Sequence, residues 1–317
     1  MNLLSEEQKQ FFDEEGYLVV SKNIPFEPLE KAREASKRII KKCERGYPYC
    51  RADDKISDTM IEKIDHIFHP DIFEQDIFRA IMDSQILEYS KEIISYYGHN
   101  DIFMSFNRMH TTYKYSTWQN WHRDGVADGR VISIKATLPL YSECGFFVIP
   151  KSHKKGNKDL DGTDSRIRGH LKNEIIVPVK AGDLLFFHDA IVHKGSCAGR
   201  EKYRRAHIHF RFTATRFANE TPKVWEEWES RPDLVSLAND GWREILTKRV
   251  AIEKSYKTTE RNKTTSLVRF NQFVAKFYYY FSALLPKNSK WIVEPNQRFE
   301  PYLRVPKELE SMFDNTN

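Results

Sequence analysis

The pattern of apolar and polar positions divides the chain into an amino-terminal helical part, a β-rich middle and an aromatic carboxyl-terminal part. Apolar residues recur at helical spacing in three early segments, which are residues 5–15, 27–45 and 72–97. Ser5 and Gln8 match a capping box at the start of the first helix, and Gly16 is a typical stop at its end. The β-forming residues 17–20 then predict a short strand.

The middle of the chain consists of short β-rich segments separated by turn residues. These segments are residues 101–112, 130–141, 145–149, 174–179, 183–188 and 203–213. Short strands with Gly, Pro, Asp or Asn between them indicate a β-sandwich or barrel rather than a βαβ sheet. Neither a G-x-G-x-x-G pattern nor a P-loop pattern occurs, so nothing supports a dinucleotide-binding or P-loop fold. We therefore predict a mainly β core with flanking helices.

The carboxyl-terminal part has a helical texture from Phe217 onward and is strongly aromatic near its middle. The stretch 267–285 contains an Arg and a Lys, so it is too polar and too short to predict a membrane span. A basic aromatic helix of this kind can lie on an anionic membrane, pack on the β core or form a homodimer interface. We favour packing or dimerisation, and we predict a core domain over residues 1–216 with a helical extension over 217–317.

Composition and charge narrow the class of protein. The 317 residues are 40% hydrophobic and 30% charged, which is typical of a globular protein. The formal net charge is +5, yet residues 243–291 alone carry eleven Lys and Arg against three Glu. Because the basic charge is local, the sequence argues against a nucleic-acid partner.

The cysteines and the amino terminus bear on the cellular compartment. The four cysteines include no C-x-x-C pair, which is typical of free thiols in a reducing compartment. The acidic amino terminus does not resemble a signal peptide. We therefore expect a cytoplasmic protein.

A candidate metal site is carried by the sequence NWHRDG, in which His122 and Asp124 stand two residues apart. On an extended segment their side chains point to the same side, and Gly125 permits a tight bend beside them. His193, which follows an apolar strand, is the candidate third ligand. Two histidines and a carboxylate form the facial triad of non-haem Fe(II) oxygenases, with open positions for a keto acid and dioxygen. His188 is a rival ligand that we interpret as a packing residue or a support for the ligands.

A 2-oxoglutarate site also needs a cation for the far carboxylate, and the planar guanidinium of arginine binds carboxylates through two hydrogen bonds. Arg204 follows His193 by eleven residues and opens a predicted strand. Alternation places Arg204 on one face of this strand with Ala206 and Ile208. We assign Arg204 to the pocket because the residues after it on that face are small or apolar. The histidines of this strand and its neighbour are interpreted as surface or strand-face residues, namely His110, His207 and His209.

Several segments, taken in order, carry a resemblance to a known family. They are the opening LSEEQKQFFDEEGYLVV, the motif NWHRDG, the stretch CGFFVIPKSHKKG, and GDLLFFHDAIVHKGS followed by YRRA. Together they resemble the phytanoyl-CoA dioxygenase family of Fe(II)/2-oxoglutarate oxygenases. The resemblance covers residues 1–215 and implies a double-stranded β-helix, which is a jelly-roll, cupin-like fold.

The resemblance also implies roles for individual residues. The family's metal ligands correspond to His122, Asp124 and His193. Its 2-oxoglutarate contacts correspond to Arg204 and, on neighbouring strands, to Arg108, Thr112 and Thr137. The family's Gly-x-x-x-x-x-Pro-x-[ST]-His segment corresponds to Gly145–His153, although this chain has four residues rather than five between the Gly and the Pro. His153 ends this segment and is expected to make a structural turn contact.

The implied activity is hydroxylation, or another C–H oxidation, of a small molecule of the secondary-metabolite type. It would use Fe(II), 2-oxoglutarate and O2 and release succinate and CO2. Asp124 favours this over halogenation, because related halogenases lack the carboxylate. Two alternatives stay open: the same chemistry on a membrane-associated lipid or glycolipid, and a cupin-like binding protein without catalysis.

Four residues around the ligand pair are candidates for contact with the substrate, namely Trp118, Asn120, Trp121 and Arg123. The alternative is that they only pack the loop, and the sequence does not favour either reading. Alternation points Arg123 away from the metal, where it could still meet an anionic substrate.

Overall fold

The structure is a computed structural model that describes most of the first 253 residues. The described ranges are 2–21, 24–44, 50–51, 63–112, 121–125, 133–154, 171, 173–195, 205–214, 225–228, 232–247 and 250–253. Its helices are α1 (Glu6–Glu15), α2 (Phe26–Glu44), α3 (Gln75–Asp83), α4 (Ile86–Tyr96), α5 (Pro232–Val235) and α6 (Asp240–Thr247). Its strands are β1 (Tyr17–Val20), β2 (Cys50–Arg51), β3 (Lys63–Asp65), β4 (Phe103–Thr112), β5 (Ser133–Pro139), β6 (Glu143–Ile149), β7 (Ile175–Val179), β8 (Leu184–His188), β9 (Val192–Gly195), β10 (Arg205–Thr213), β11 (Trp225–Trp228) and β12 (Val250–Glu253).

Two antiparallel sheets form the core of the fold. The large sheet has the strand order β1-β8-β5-β10-β4-β3-β2, and the small sheet has the order β7-β6-β9. Phe187 from the large sheet packs with Phe146 and Val177 from the small sheet in one apolar cluster. The two sheets therefore face each other, as in a double-stranded β-helix. The predicted jelly-roll fold is confirmed.

Helices cover the other face of the large sheet. Alternation along β8 sends Leu184 and Phe186 into the main core, whereas Leu185 and Phe187 face the small sheet. Trp242 of α6 enters the same core, and aromatic rings of β10 and α3 surround its side chain. Helix α6 therefore packs on the β core through a fully buried tryptophan.

The first helix follows its sequence signals closely. The Ser5 hydroxyl accepts a hydrogen bond from the backbone N–H of Gln8 at 3.2 Å, and the Gln8 side chain accepts one from the Ser5 N–H at 2.9 Å. Gly16 ends the helix with a φ of 82°, a left-handed conformation that glycine adopts without strain. The predicted capping box and stop are confirmed.

The predicted single helix over residues 72–97 is wrong, because the chain breaks it into α3 and α4. Gln85 has a left-handed φ of 55°, which a continuous helix does not allow. The Ser84 hydroxyl donates to the carbonyl of Ile81 and accepts from the N–H of Ile86, so it replaces helical hydrogen bonds at the break. Periodicity alone did not reveal the break because both helices bury apolar faces.

The prediction of a wholly helical extension after residue 216 is also wrong for part of the described chain. Strands β11 and β12 pair antiparallel, with Trp225 opposite Glu253 and Trp228 opposite Val250. Trp225 and Trp228 are β-forming residues set among charges, which concealed the strand. The aromatic stretch 267–285 lies outside the described residues, and the domain boundary stays a prediction. No helix within the described ranges has the length and apolar character of a membrane span.

Candidate active site

The structure brings the three predicted ligands together. Ligand atoms of His122, Asp124 and His193 all lie within 4.8 Å of one another. His193 Nε2 lies 3.6 Å from Asp124 Oδ2, and the two imidazole rings are 4.4 Å apart. Such a cluster of two nitrogens and one oxygen matches the donor set of the facial triad.

Backbone hydrogen bonds hold the ligands in place. His122 and His193 pair as an antiparallel bridge, with an N–H to carbonyl distance of 3.0 Å in each direction. The N–H groups of Asp124 and Gly125 both donate to the carbonyl of Asp189, at 2.8 and 2.9 Å. A Cβ atom at Gly125 would lie only 3.0 Å from the Asp189 side chain. The tight bend beside the ligands therefore uses the small size of glycine.

The protonation states suit metal binding. His193 Nδ1 lies 3.0 Å from the carbonyl of Ile191, so Nδ1 carries the proton and leaves the Nε2 lone pair facing Asp124. Burial, together with the neighbouring His122, lowers the pKa of His193 to about 4. Removal from water would raise the pKa of Asp124, but Lys135 and both histidines hold it well below its usual range. At neutral pH the site offers a neutral imidazole and a carboxylate, which fits a divalent metal.

A buried ion network supports Asp124 and was not predicted from the sequence. The ammonium of Lys135 lies 3.3 Å from Asp124 Oδ2 and 3.8 Å from Asp189 Oδ1. Arg211 donates to Asp189 Oδ2 at 2.7 and 2.9 Å. Burial is the main cause that lowers the pKa of Lys135. The available signal was a lysine in the apolar strand SIKATLP, where a charge needs a buried partner.

The inner face of the large sheet forms a polar wall of the cavity in front of the triad. Cross-strand neighbours His207, His110 and Lys63 form one row of this wall. In the next row His209 stands opposite both Arg108 and Thr137, and its Nδ1 lies 2.7 Å from the Thr137 hydroxyl oxygen. Of the two interpretations given for these histidines, the strand-face one agrees with the structure and the surface one is wrong, because all three line this cavity.

The predicted 2-oxoglutarate contacts have different outcomes. Arg108 and Thr137 line the cavity, and Arg108 Nε lies 2.6 Å from a carboxylate oxygen of Asp65. Thr112 ends β4, and its backbone pairs with that of Arg205. Arg204 lies outside the described residues, so its role stays a prediction.

The face argument used for Arg204 is reversed in the structure. Ala206 and Ile208 belong to the main core on the helix side of the sheet, whereas His207 and His209 line the cavity. The face with apolar residues turned out to be the packing face. The assignment of Arg204 therefore rests on the family resemblance alone.

Two predicted substrate residues, Trp121 and Arg123, make contacts within the protein. Trp121 is only 3% exposed, and the ammonium of Lys194 lies 4.5 Å from its ring centroid. The guanidinium of Arg123 donates to the carbonyls of Ser152 and Ala190. These contacts support the loop-packing alternative for Trp121 and Arg123. Trp118 and Asn120 lie outside the described residues.

His188 and His153 form a packed pair beside the triad. Their rings are 4.9 Å apart, and His188 Nδ1 accepts a hydrogen bond from the Ala190 N–H at 2.8 Å. His153 Nε2 donates to the carbonyl of Asp13 at 2.9 Å, which ties the turn to the first helix. A Cβ atom at Gly16 would clash with the His153 ring. Both histidines thus have structural contacts, as expected.

Comparisons with known proteins agree with this geometry. Residues 12–206 match the family described as phytanoyl-CoA dioxygenase (PhyH). The chain belongs to this family, and the predicted class, a non-haem iron and 2-oxoglutarate oxygenase, is confirmed. No protein matches it in the comparison with curated sequences.

Solved structures share the fold at low sequence identity. HygX from Streptomyces hygroscopicus, with nickel and 2-oxoglutarate bound, has a TM-score of 0.52 at 16% identity, covering 69% of this chain and 91% of HygX. EctD from S. alaskensis, with 2-oxoglutarate and 5-hydroxyectoine, has a TM-score of 0.51 at 14% identity, covering 66% and 76%. The epimerase SnoN from nogalamycin biosynthesis has a TM-score of 0.50 at 15% identity, covering 66% and 82%. Iron and 2-oxoglutarate, the predicted cofactors, are those of this group.

Proposed function

We propose that the protein is an Fe(II)/2-oxoglutarate-dependent dioxygenase that hydroxylates, or otherwise oxidises, a C–H bond of a small molecule in secondary metabolism. The observation that carries the proposal is the convergence of His122, Asp124 and His193 at one end of a polar cavity. One structural relative named above, SnoN, is an epimerase from nogalamycin biosynthesis, which supports a substrate of this class. When bound, iron would supply the oxidising chemistry with O2 as the oxidant, and one oxygen atom of O2 would convert 2-oxoglutarate to succinate and CO2.

The residues of the chain would divide the work around that chemistry. His122, Asp124 and His193 would hold the metal, and the Asp189 carbonyl and the Ile191 carbonyl fix their orientation. The cationic and hydroxyl groups of Arg108 and Thr137, with Arg204, would hold the far carboxylate of 2-oxoglutarate. Three apolar side chains on the cavity wall would shield this chemistry from water on one part of the wall, namely Phe146, Leu185 and Phe187.

The test is the conversion of 2-oxoglutarate to succinate by the iron-loaded protein without added substrate, followed by a screen of candidate substrates. His122→Ala and Asp124→Ala are expected to abolish succinate formation and metal binding. His69→Gln serves as a matched control, because His69 lies outside the cavity and contacts Asp71. Succinate formation that survives both ligand substitutions would overturn the proposal.

Two alternatives have their own outcomes in the same set of experiments. A cupin-like binding protein without catalysis would bind 2-oxoglutarate but form no succinate with any substrate. A lipid or glycolipid oxygenase would sediment with anionic vesicles, whereas the proposed enzyme is expected to stay in the supernatant. Whether the chain forms a homodimer is a separate question, which light scattering answers. A dimer would have twice the mass of the single chain.

A further inference from the structure

Lys135 forms a direct ion pair with Asp124, the carboxylate of the candidate metal site. Its side chain is 5% exposed, and its ammonium lies 3.3 Å from Asp124 Oδ2. The same oxygen lies 3.6 Å from Nε2 of His193, a second residue that would hold the metal. A metal ion held by Asp124 and His193 would therefore compete with the ammonium for the Asp124 carboxylate.

The surroundings keep Lys135 at this position. Asp189 provides a second carboxylate at 3.8 Å, and the Phe106 ring centroid lies 4.4 Å from the ammonium. Arg211 fixes Asp189 from the other side. Because the carbonyl of Asp189 also accepts from the Asp124 N–H, the lysine and the ligand are tied to the same residue.

We propose that Lys135 is a positioning residue that neutralises Asp124 in the metal-free protein, and that metal binding weakens this ion pair. The inference rests on the proposed metal site. In the metal-free site the ammonium supplies the positive charge that Asp124 faces. A divalent metal held by the same carboxylate would bring like charges close together, so each cation would lower the affinity of the carboxylate for the other.

Nickel(II) binding to the metal-free protein, measured by titration calorimetry, tests the proposal without turnover. Lys135→Met is expected to bind nickel about tenfold more tightly than the wild type, because the competing charge is gone. Lys135→Arg keeps the charge and is expected to stay within about threefold of the wild-type Kd. Equal or weaker nickel binding by Lys135→Met would overturn the proposal. A wild type that binds no nickel would instead overturn the proposed function.

Lys194→Met is a matched control for the loss of a buried lysine. Lys194 is fully buried, but it lies over the rings of Trp121 and Phe147 and not against Asp124. Its substitution is expected to change thermal stability and to leave the nickel Kd within about threefold. A tenfold gain in this variant as well would show that the loss of any buried lysine has the effect, and it would contradict a specific role for Lys135.

A double-mutant cycle in the metal-free protein provides a second measurement. Lys135→Met and Asp124→Asn are each expected to lower the Tm, and the double variant is expected to lose less than the sum of the two shifts. Additive shifts contradict the ion pair. If Lys135→Met fails to fold in both backgrounds, the lysine serves the fold independently of Asp124, which also overturns the proposal.

Discussion

The two faces of strand β10 are both buried, yet one packs in the hydrophobic core and the other lines the cavity. On one face Ile208 and Phe210 are fully buried among apolar side chains of the helices. On the other face His207 and His209 are 3% and 7% exposed, and they line the cavity in front of the triad. Burial alone therefore does not separate the core from the site. The chemical type of the buried group does, because a buried polar group costs stability unless it is paired.

The largest expected effect separates the two faces at adjacent residues. Phe210→Ala removes a fully buried ring that packs against Trp242 and is expected to lower the free energy of unfolding by about 3–5 kcal/mol. His209→Ala removes a hydrogen-bonding partner of Thr137 and is expected to cost about 1 kcal/mol. Urea unfolding measures both values.

Succinate formation gives the opposite ranking for the same pair. His209→Ala is expected to lower the turnover of the folded enzyme, whereas Phe210→Ala leaves the folded fraction active. A larger stability loss for His209→Ala than for Phe210→Ala would contradict the division of the strand into a packing face and a site face.

The pH dependence of stability follows from two buried histidines. Burial lowers the pKa of His66 and of His193 to about 4 from an ordinary value of 6.5. A histidine with a depressed native pKa binds protons more readily in the unfolded chain. Its contribution to the free energy of unfolding is therefore complete above the pKa that it has in the unfolded chain. This contribution is lost as the pH falls towards the pKa that it has in the native state. Each histidine is expected to cost up to about 3 kcal/mol over this window.

His66→Asn separates the two contributions. Asparagine tolerates the left-handed φ of 58° at this position, and the backbone N–H of residue 66 can keep its hydrogen bond to Asn107. The variant is expected to lose less stability than the wild type between pH 6.5 and pH 4. If the stability of the two proteins changed with pH in the same way, the pKa of His66 would not be depressed in the native state.

Some features of the fold and the site could be predicted from the sequence, and others could not. Capping signals located α1, and two-residue spacing with a distant histidine located the ligands, because both depend on local chemistry. The cavity face of β10 was assigned wrongly, since the apolar residues were assigned to the pocket while the histidines were interpreted as surface or strand-face residues. Only the tertiary fold shows that helices cover one face and the small sheet covers the other. Lys135 was missed for the same reason, because its partners Asp124 and Asp189 come from a bend and a turn that are distant from it in the sequence.

An intermediate effect concerns Arg123, which the sequence placed between the ligands. Arg123→Met leaves the carbonyls of Ser152 and Ala190 without their donor and is expected to lower the free energy of unfolding by about 1–3 kcal/mol. The KM for 2-oxoglutarate and for any substrate found is expected to stay unchanged. Unchanged stability together with a raised substrate KM would instead indicate that Arg123 contacts the substrate.

The smallest expected effect lies farthest from the cavity, at the first helix. Ser5→Ala removes the hydroxyl that accepts from the Gln8 N–H and is expected to lower the free energy of unfolding by about 1 kcal/mol. Ser5→Asp keeps an acceptor at the cap and is the matched control, with an expected change near zero.

The cap also tests how closely the first helix is coupled to the site. The carbonyl of Asp13, at the end of α1, accepts a hydrogen bond from His153, whose ring packs against His188. Fraying at Ser5 concerns the opposite end of the helix, so nickel affinity is expected to stay the same in Ser5→Ala. A weaker nickel affinity at equal folded fraction would mean that the whole helix, and not only its last turn, holds the turn beside the triad. The comparison of the two faces would then have to include α1 as part of the site.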